Sequence, residues 1–161
     1  MAAGSTYTPI ASYTVSSAQA SYTFSSISGS YTDLVLISNG SASTGSTATF
    51  QFNSDTGSNY SNTYVLGDGT NAASGRGSNS VGAYSFYPLN AQFTAITSIQ
   101  NYSNTTTYKT LLTRHSGAGN YALANVGLWR STNAITSVTI VNLSGTFSVG
   151  FTFSLYGITA A

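Results

Sequence analysis

The sequence predicts an all-β protein: antiparallel strands packed as a sandwich or barrel, in a single domain. Three observations predict it. Good helix formers are scarce, while Thr, Tyr, Val, Ile and Phe are abundant. Short alternating runs recur about every 10–15 positions, each bounded by Gly, Asn or Ser. With 161 residues, 41% of them hydrophobic, the chain suits one domain that buries a real core.

Strands are expected near 11–15, 20–24, 31–38, 47–53, 60–66, 81–87, 93–100, 108–115, 121–129, 135–143 and 147–157. Residues 1–19, Ser/Thr-rich with Pro9, form either an arm that docks on a partner or an edge strand; residues 20–161 carry the sandwich. "DLVLI" is apolar on both faces, as in a strand at the middle of two packed layers. In "TATFQFN", Ala48, Phe50 and Phe52 share one face against Thr49 and Gln51. "SNGSASTGST" (38–47) and "GDGTNAASGRGSNS" (67–80) read as loops, the second long enough to be functional or mobile. In "ITSVTIVNL", Val138 and Ile140 are in phase and Ile135 is not, which predicts a bulge. The closing "FSVGFTFSLYGITAA" sets Phe147, Val149, Phe151, Phe153 and Leu155 on one face. Burying each contributes roughly 1.5–3 kcal/mol, so a chain lacking this strand is expected to unfold. The domain is then self-contained and ends on a core element.

Charge is the most unusual property. Only 4% of residues are charged, against roughly 25% in ordinary proteins. The acids are Asp33, Asp55 and Asp68; the bases are Arg76, Lys109, Arg114 and Arg130. A surface wetted by hydroxyls and amides, with little colloidal repulsion, favours association over life as a dilute monomer. It offers no basic face for nucleic acid. No cysteine is present for a disulfide, thiol nucleophile or thiolate metal site. The amino terminus lacks the charged and apolar regions of a signal peptide, and "LVLI" is too short to span a bilayer, so no membrane partner is expected. Five Asn-x-Ser/Thr sequons begin at Asn39, Asn59, Asn101, Asn104 and Asn142, as chance provides in such a composition.

Catalytic constellations are poorly supported. His115, the single histidine, has serines everywhere around it in sequence but no G-x-S-x-G elbow, and reads as a strand-end surface residue. Asp55 and Asp68 could form a carboxylate pair for glycoside hydrolysis, but both lie in Gly/Asn/Ser turns where aspartate caps its own backbone. "NSDTG" has oxygen donors for a cation, yet no Glu closes a coordination shell; it reads as a tight turn. No enzyme, metal or cofactor is expected. Arg76 is expected to project from the long loop, and Arg130 follows Trp129, the only tryptophan. Both arginines suit interface hydrogen bonding. The competing reading puts Trp129 in the core and pairs Arg130 with an aspartate. Tyr, at 12 of 161 residues, sits among Ser and Asn in "ASYTF", "GSYTD", "SNYSNTY" and "QNYSN". Such mixtures make adaptable contact surfaces for protein or sugar, so Tyr7, Pro9, Tyr60, Tyr64, Arg76 and Arg130 are the partner-binding candidates.

"YTDLVLI", "NSDTGSNYSNTYVLGDGT", "SGRGS", "VGLWRSTNAITSVTI" and "FSLYGI" together resemble a group of tailed-bacteriophage virion proteins, found alone or as fibre domains and frequent in cyanophages. The similarity covers most of residues 20–158 and lies in strands and turns, with no catalytic residues to transfer. It implies a jelly-roll-like sandwich, trimeric, on the outside of a particle assembled in the host cytoplasm. The role implied is either a capsid decoration (cement) protein bound to the major capsid protein at local threefold positions, or a tail-fibre tip that recognises a host glycan. A short chain without a repetitive shaft, and a near-neutral surface, favour decoration.

Overall fold

The computed structural model describes residues 6–43, 47–87, 90–118 and 121–159. Among these lie twelve strands: β1 (Tyr7–Thr14), β2 (Ser21–Phe24), β3 (Asp33–Gly40), β4 (Ala48–Phe52), β5 (Tyr60–Gly67), β6 (Ala72–Ser80), β7 (Ala83–Phe86), β8 (Phe93–Gln100), β9 (Lys109–Gly117), β10 (Tyr121–Trp129), β11 (Val138–Asn142) and β12 (Thr152–Ile158). They form an eight-stranded sheet ordered β1-β12-β3-β8-β9-β10-β5-β6 and a four-stranded sheet ordered β2-β11-β4-β7. Every pairing is antiparallel.

The order has a simple logic. Leave out two hairpins, and the remaining strands pair first with last: β1 with β12, β2 with β11, β3 with β8, β4 with β7. This ribbon, folded double and rolled into two facing layers, is a jelly roll, in which successive strands alternate between sheets. The hairpins β5–β6 and β9–β10 are inserted into it and extend the larger sheet beyond β8.

Alternation decides what is buried. In β8, Phe93, Ala95, Thr97 and Ile99 face inward, and in β10 Leu123, Asn125 and Trp129 do so. Phe50 and Phe52 of β4, with Val138 and Ile140 of β11, answer them from the smaller sheet. Phe147, Phe151 and Phe153 pack ring to ring with centroids 4.8–5.0 Å apart. Leu34, Val35 and Leu36 are all buried, as expected of a central strand.

Three expectations need correction. The stretch 67–80 is a four-residue turn, Asp68–Asn71, followed by β6 paired along its length with β5. Backbone pairing overrides the weak strand propensity of "AASGRGSNS". Gly75 and Gly77 are required there: a Cβ would lie 2.7 Å from the Tyr64 hydroxyl at one and 2.7 Å from Asn62 Oδ1 at the other. Val149 does not share the core face of the last strand. It is 68% exposed, because Phe147 and Phe151 flank a tight turn with Gly150 at φ +86° and β12 begins only at Thr152. Ile135 marks no bulge; it is buried ahead of β11 in irregular chain, its N–H bonded to the Tyr102 carbonyl. Within the amino-terminal stretch, Tyr7–Thr14 form the edge strand β1, with Pro9 beside a register shift between Pro9 and Ala11, while residues 1–5 lie outside the described residues.

Phe153→Ala is expected to cost about 3–5 kcal/mol, whereas Val149→Ala changes stability by less than about 0.5 kcal/mol, as read by denaturant unfolding. Equal losses would restore Val149 to the core face.

Candidate functional site

Two connections between the sheets pass side by side: residues 53–59 between β4 and β5, and residues 130–137 between β10 and β11. A set of polar side chains stitches them. Asp55 accepts from the Trp129 indole N–H at 2.7 Å, from the Gly57 N–H at 2.8 Å and from the Asn59 amide. The Tyr60 hydroxyl donates to the Asp55 carbonyl and accepts from the Phe52 N–H, each at 3.0 Å. Asn53, at φ +52°, donates to the Ala134 carbonyl and accepts from the Thr136 and Ser137 N–H groups. Burial alone would raise the Asp55 carboxyl; the bonds from Trp129, Asn59 and Gly57 outweigh it and hold the group below the ordinary carboxylate range. Asp68 is likewise a turn-former, accepting from the Thr70 and Asn71 N–H groups. Both aspartates therefore cap their own backbone, as their turn contexts predict.

Several partner-binding candidates move. Tyr60 is fully buried against Phe52 and Trp129, with its hydroxyl pushed up to about 12 by desolvation, and is a core residue. Tyr102, from the "QNYSN" context, is also core. Trp129 fills the interior, but its aspartate partner is Asp55 through the indole; Arg130 bonds instead to the Ser58 carbonyl and Asn79 Oδ1. Tyr7, 56% exposed, and Pro9 lie on edge strand β1. Arg76 and Tyr64 lie at the far edge of the same sheet, on β6 and β5.

That far edge carries a cleft of about 370 Å³, between the inner face of the β5–β6 hairpin and the edge of the smaller sheet. Asn62, Tyr64 and Leu66 of β5 form one wall; Thr49 of β4 and Tyr84 of β7 form the other; Tyr87 and Tyr121 stand at one end. The rings meet in pairs, Tyr64 with Tyr84 at 5.4 Å and Tyr87 with Tyr121 at 5.6 Å. Burial, reinforced by the neighbouring Tyr121, Tyr64 and Tyr87, pushes the Tyr84 hydroxyl up, so that phenol stays neutral at physiological pH. Asn125, buried in β10, donates to the Tyr84 carbonyl and ties β7 to the larger sheet. Thr49 Oγ1 is buried and has no hydrogen-bond partner among the described residues.

Sequence reasoning missed Tyr84, Tyr87 and Tyr121. The available signal was the pair of glycines two apart in "SGRGS", which marks a strand whose inner face is covered by larger neighbours.

No protein-family model matches the chain, and no curated protein matches it. Among solved structures, the marine PL-14 alginate lyase from Aplysia kurodai is similar over 84% of this chain and 72% of that chain, at 8% identity and a TM-score of 0.31. A likeness of that order carries no argument about this protein.

His115 is not a surface residue. It is 3% exposed on the inward face of β9, among Phe86, Phe93 and Tyr121, and neither ring nitrogen has a hydrogen-bond partner among the described residues. A triad histidine needs a carboxylate on one nitrogen and a nucleophile on the other; His115 is held by neither. Desolvation lowers its pKa to about 4. Lys109 is also buried, its ammonium donating to the Thr107 and Thr132 carbonyls at 2.7 and 3.1 Å.

Between the ordinary histidine value of 6.5 and about 4, the unfolded chain binds a proton at His115 that the folded chain does not. Stability must therefore fall as pH drops through that window, by about 3 kcal/mol. His115→Leu is expected to be neutral or stabilising at pH 7 and to flatten the decline, as followed by the melting temperature between pH 7 and 4. An unchanged slope in the variant would assign the decline to another group.

Proposed function

We propose that this chain is a structural protein of a tailed-bacteriophage virion: a homotrimeric capsid decoration protein that binds the major capsid protein at local threefold positions on the outer surface and stabilises the shell. The resemblance in its strand and turn segments motivates the reading. The observation that carries it is the outer face of the eight-stranded sheet.

That face is uncovered. Cross-strand pairing sets Val126 of β10 beside Leu112 of β9, and Val65 of β5 beside Ala124. Val65, Leu112 and Val126 are 57%, 41% and 52% exposed, forming an aliphatic patch with Arg114 in the next cross-strand row. An apolar patch on a broad sheet, rimmed by polar residues and almost devoid of charge, supports a subunit interface. Repeated on a lattice, modest interfaces of this kind add up: each forms only where neighbouring capsomers are correctly placed, and together they resist outward pressure. The low charge count suits dense packing of identical copies, since like surfaces then repel little.

The tyrosine cleft favours a second reading, a tail-fibre tip that meets a glycan on the host surface. Copy number separates the two. In purified virions, decoration predicts a ratio to the major capsid protein on the order of one by quantitative mass spectrometry, whereas a few per cent would move the chain to the tail.

The isolated protein is expected to be trimeric by light scattering at micromolar concentration. Leu112→Glu combined with Val126→Glu should yield monomers, with a stability change within about 0.5 kcal/mol for each exposed site. A trimer that survives both substitutions would place the interface elsewhere.

A further inference from the structure

The cleft beside β6 has a chemistry that the outer sheet face lacks. Four phenol rings, Tyr64, Tyr84, Tyr87 and Tyr121, present flat apolar surfaces together with hydroxyls. Beside them stand neutral groups that both donate and accept: the Asn62 amide and the hydroxyls of Ser80 and Thr49. Among the described residues, no carboxylate and no lysine lines it. Arg76 borders it, but lies opposite Thr63, so its side chain starts from the outer face of β6.

From this chemistry we infer that the cleft binds an uncharged saccharide, one or two sugar units of a neutral glycan. A sugar ring offers what these walls can use. Its C–H face packs on an aromatic ring, and its vicinal hydroxyls each donate and accept, as Asn62, Ser80 and Thr49 do. An anionic sugar would find a single guanidinium, Arg76 at the border, and no cation among the described residues of the inner walls to replace its hydration. The Thr49 hydroxyl, buried without a partner among the described residues, marks a polar floor that is left unsatisfied by the protein itself.

The walls are also set in advance. Tyr64 and Asn62 lie across Gly75 and Gly77, where a side chain on β6 would displace them. Tyr64 is held from the other side by the Tyr84 ring. Little side-chain ordering is left for the ligand to impose, which favours binding. The cleft volume falls in the lower part of the range found for small-ligand sites. The inference is independent of where in a particle the chain sits.

The test uses the full chain with maltotriose, mannotriose and galactotriose as neutral probes and trigalacturonate as the charged counterpart, by calorimetric titration and saturation-transfer NMR. At least one neutral trisaccharide is expected to bind with a Kd of about 0.1–10 mM, and trigalacturonate to bind more weakly. Tyr87→Ala, at the exposed end, should weaken binding at least about tenfold. Tyr64→Phe keeps the ring against Tyr84 and removes only the hydroxyl; it should weaken binding about three- to tenfold. It decides the matter if Tyr87→Ala fails to fold. Thr63→Ala, on the opposite face of β5, should leave affinity unchanged. Failure of all three neutral probes at about 10 mM, tighter binding of trigalacturonate, or full affinity in both tyrosine variants would each overturn the inference.

Discussion

The fold depends on one hydrogen bond more than on any other: the buried Trp129 indole donating to the carboxylate of Asp55. A rolled double ribbon must send its chain from one layer to the other repeatedly, and the first inserted hairpin leaves that ribbon beside the place where the second returns to it. Residues 53–59 carry the chain out to β5, and residues 130–137 bring it back from β10. Backbone groups in such crossings have no sheet partner and must be satisfied otherwise. Asp55 and Asn53 meet that need, Asn59 braces the Asp55 carboxylate, and Trp129 anchors the assembly in the core. A charged acceptor strengthens the bond, and its partial burial raises the cost of breaking it.

The cleft is a consequence of the same stitch. β5 starts directly from the Asp55 turn, and β10 ends at Trp129. Asn125 ties β7 to the same strand β10, and the Tyr64 ring of β5 meets the Tyr84 ring of β7 at 5.4 Å. The protein thereby separates two surfaces on one sheet. The inner side of the hairpin holds an aromatic cleft, and the outer side carries an exposed aliphatic patch. Low charge serves both: neither surface needs a counter-ion, and the interior accommodates a neutral histidine and a lysine capped by carbonyls.

Much of this was legible in the sequence. Strands with strict alternation, such as β8 and β4, and the doubly apolar β3 declared their places because burial and side-chain period agree there. β6 stayed hidden because its residues are small and polar; its strand character comes from β5 and from the side chains lying over its glycines. Val149 misled because alternation continues through a turn that the backbone does not continue as a strand. Tyr60 and Tyr102 looked like surface residues by their Ser/Asn neighbours, yet each is drawn inward by a hydroxyl that finds a backbone partner. His115 gave no sign of burial, since alternation in "YKTLLTRHS" does not say which face is inner. The cleft was the least legible feature, because its residues come from five strands and no local spacing records their meeting.

A double-mutant cycle between Asp55→Ala and Trp129→Phe, read as denaturant unfolding at pH 7, tests the central claim directly. The stitch predicts a coupling of about 1.5–3 kcal/mol between the two sites, because either substitution alone already breaks the bond. Additive losses, within about 0.5 kcal/mol, would show that the crossings are held by packing alone and that Asp55 is an ordinary turn residue.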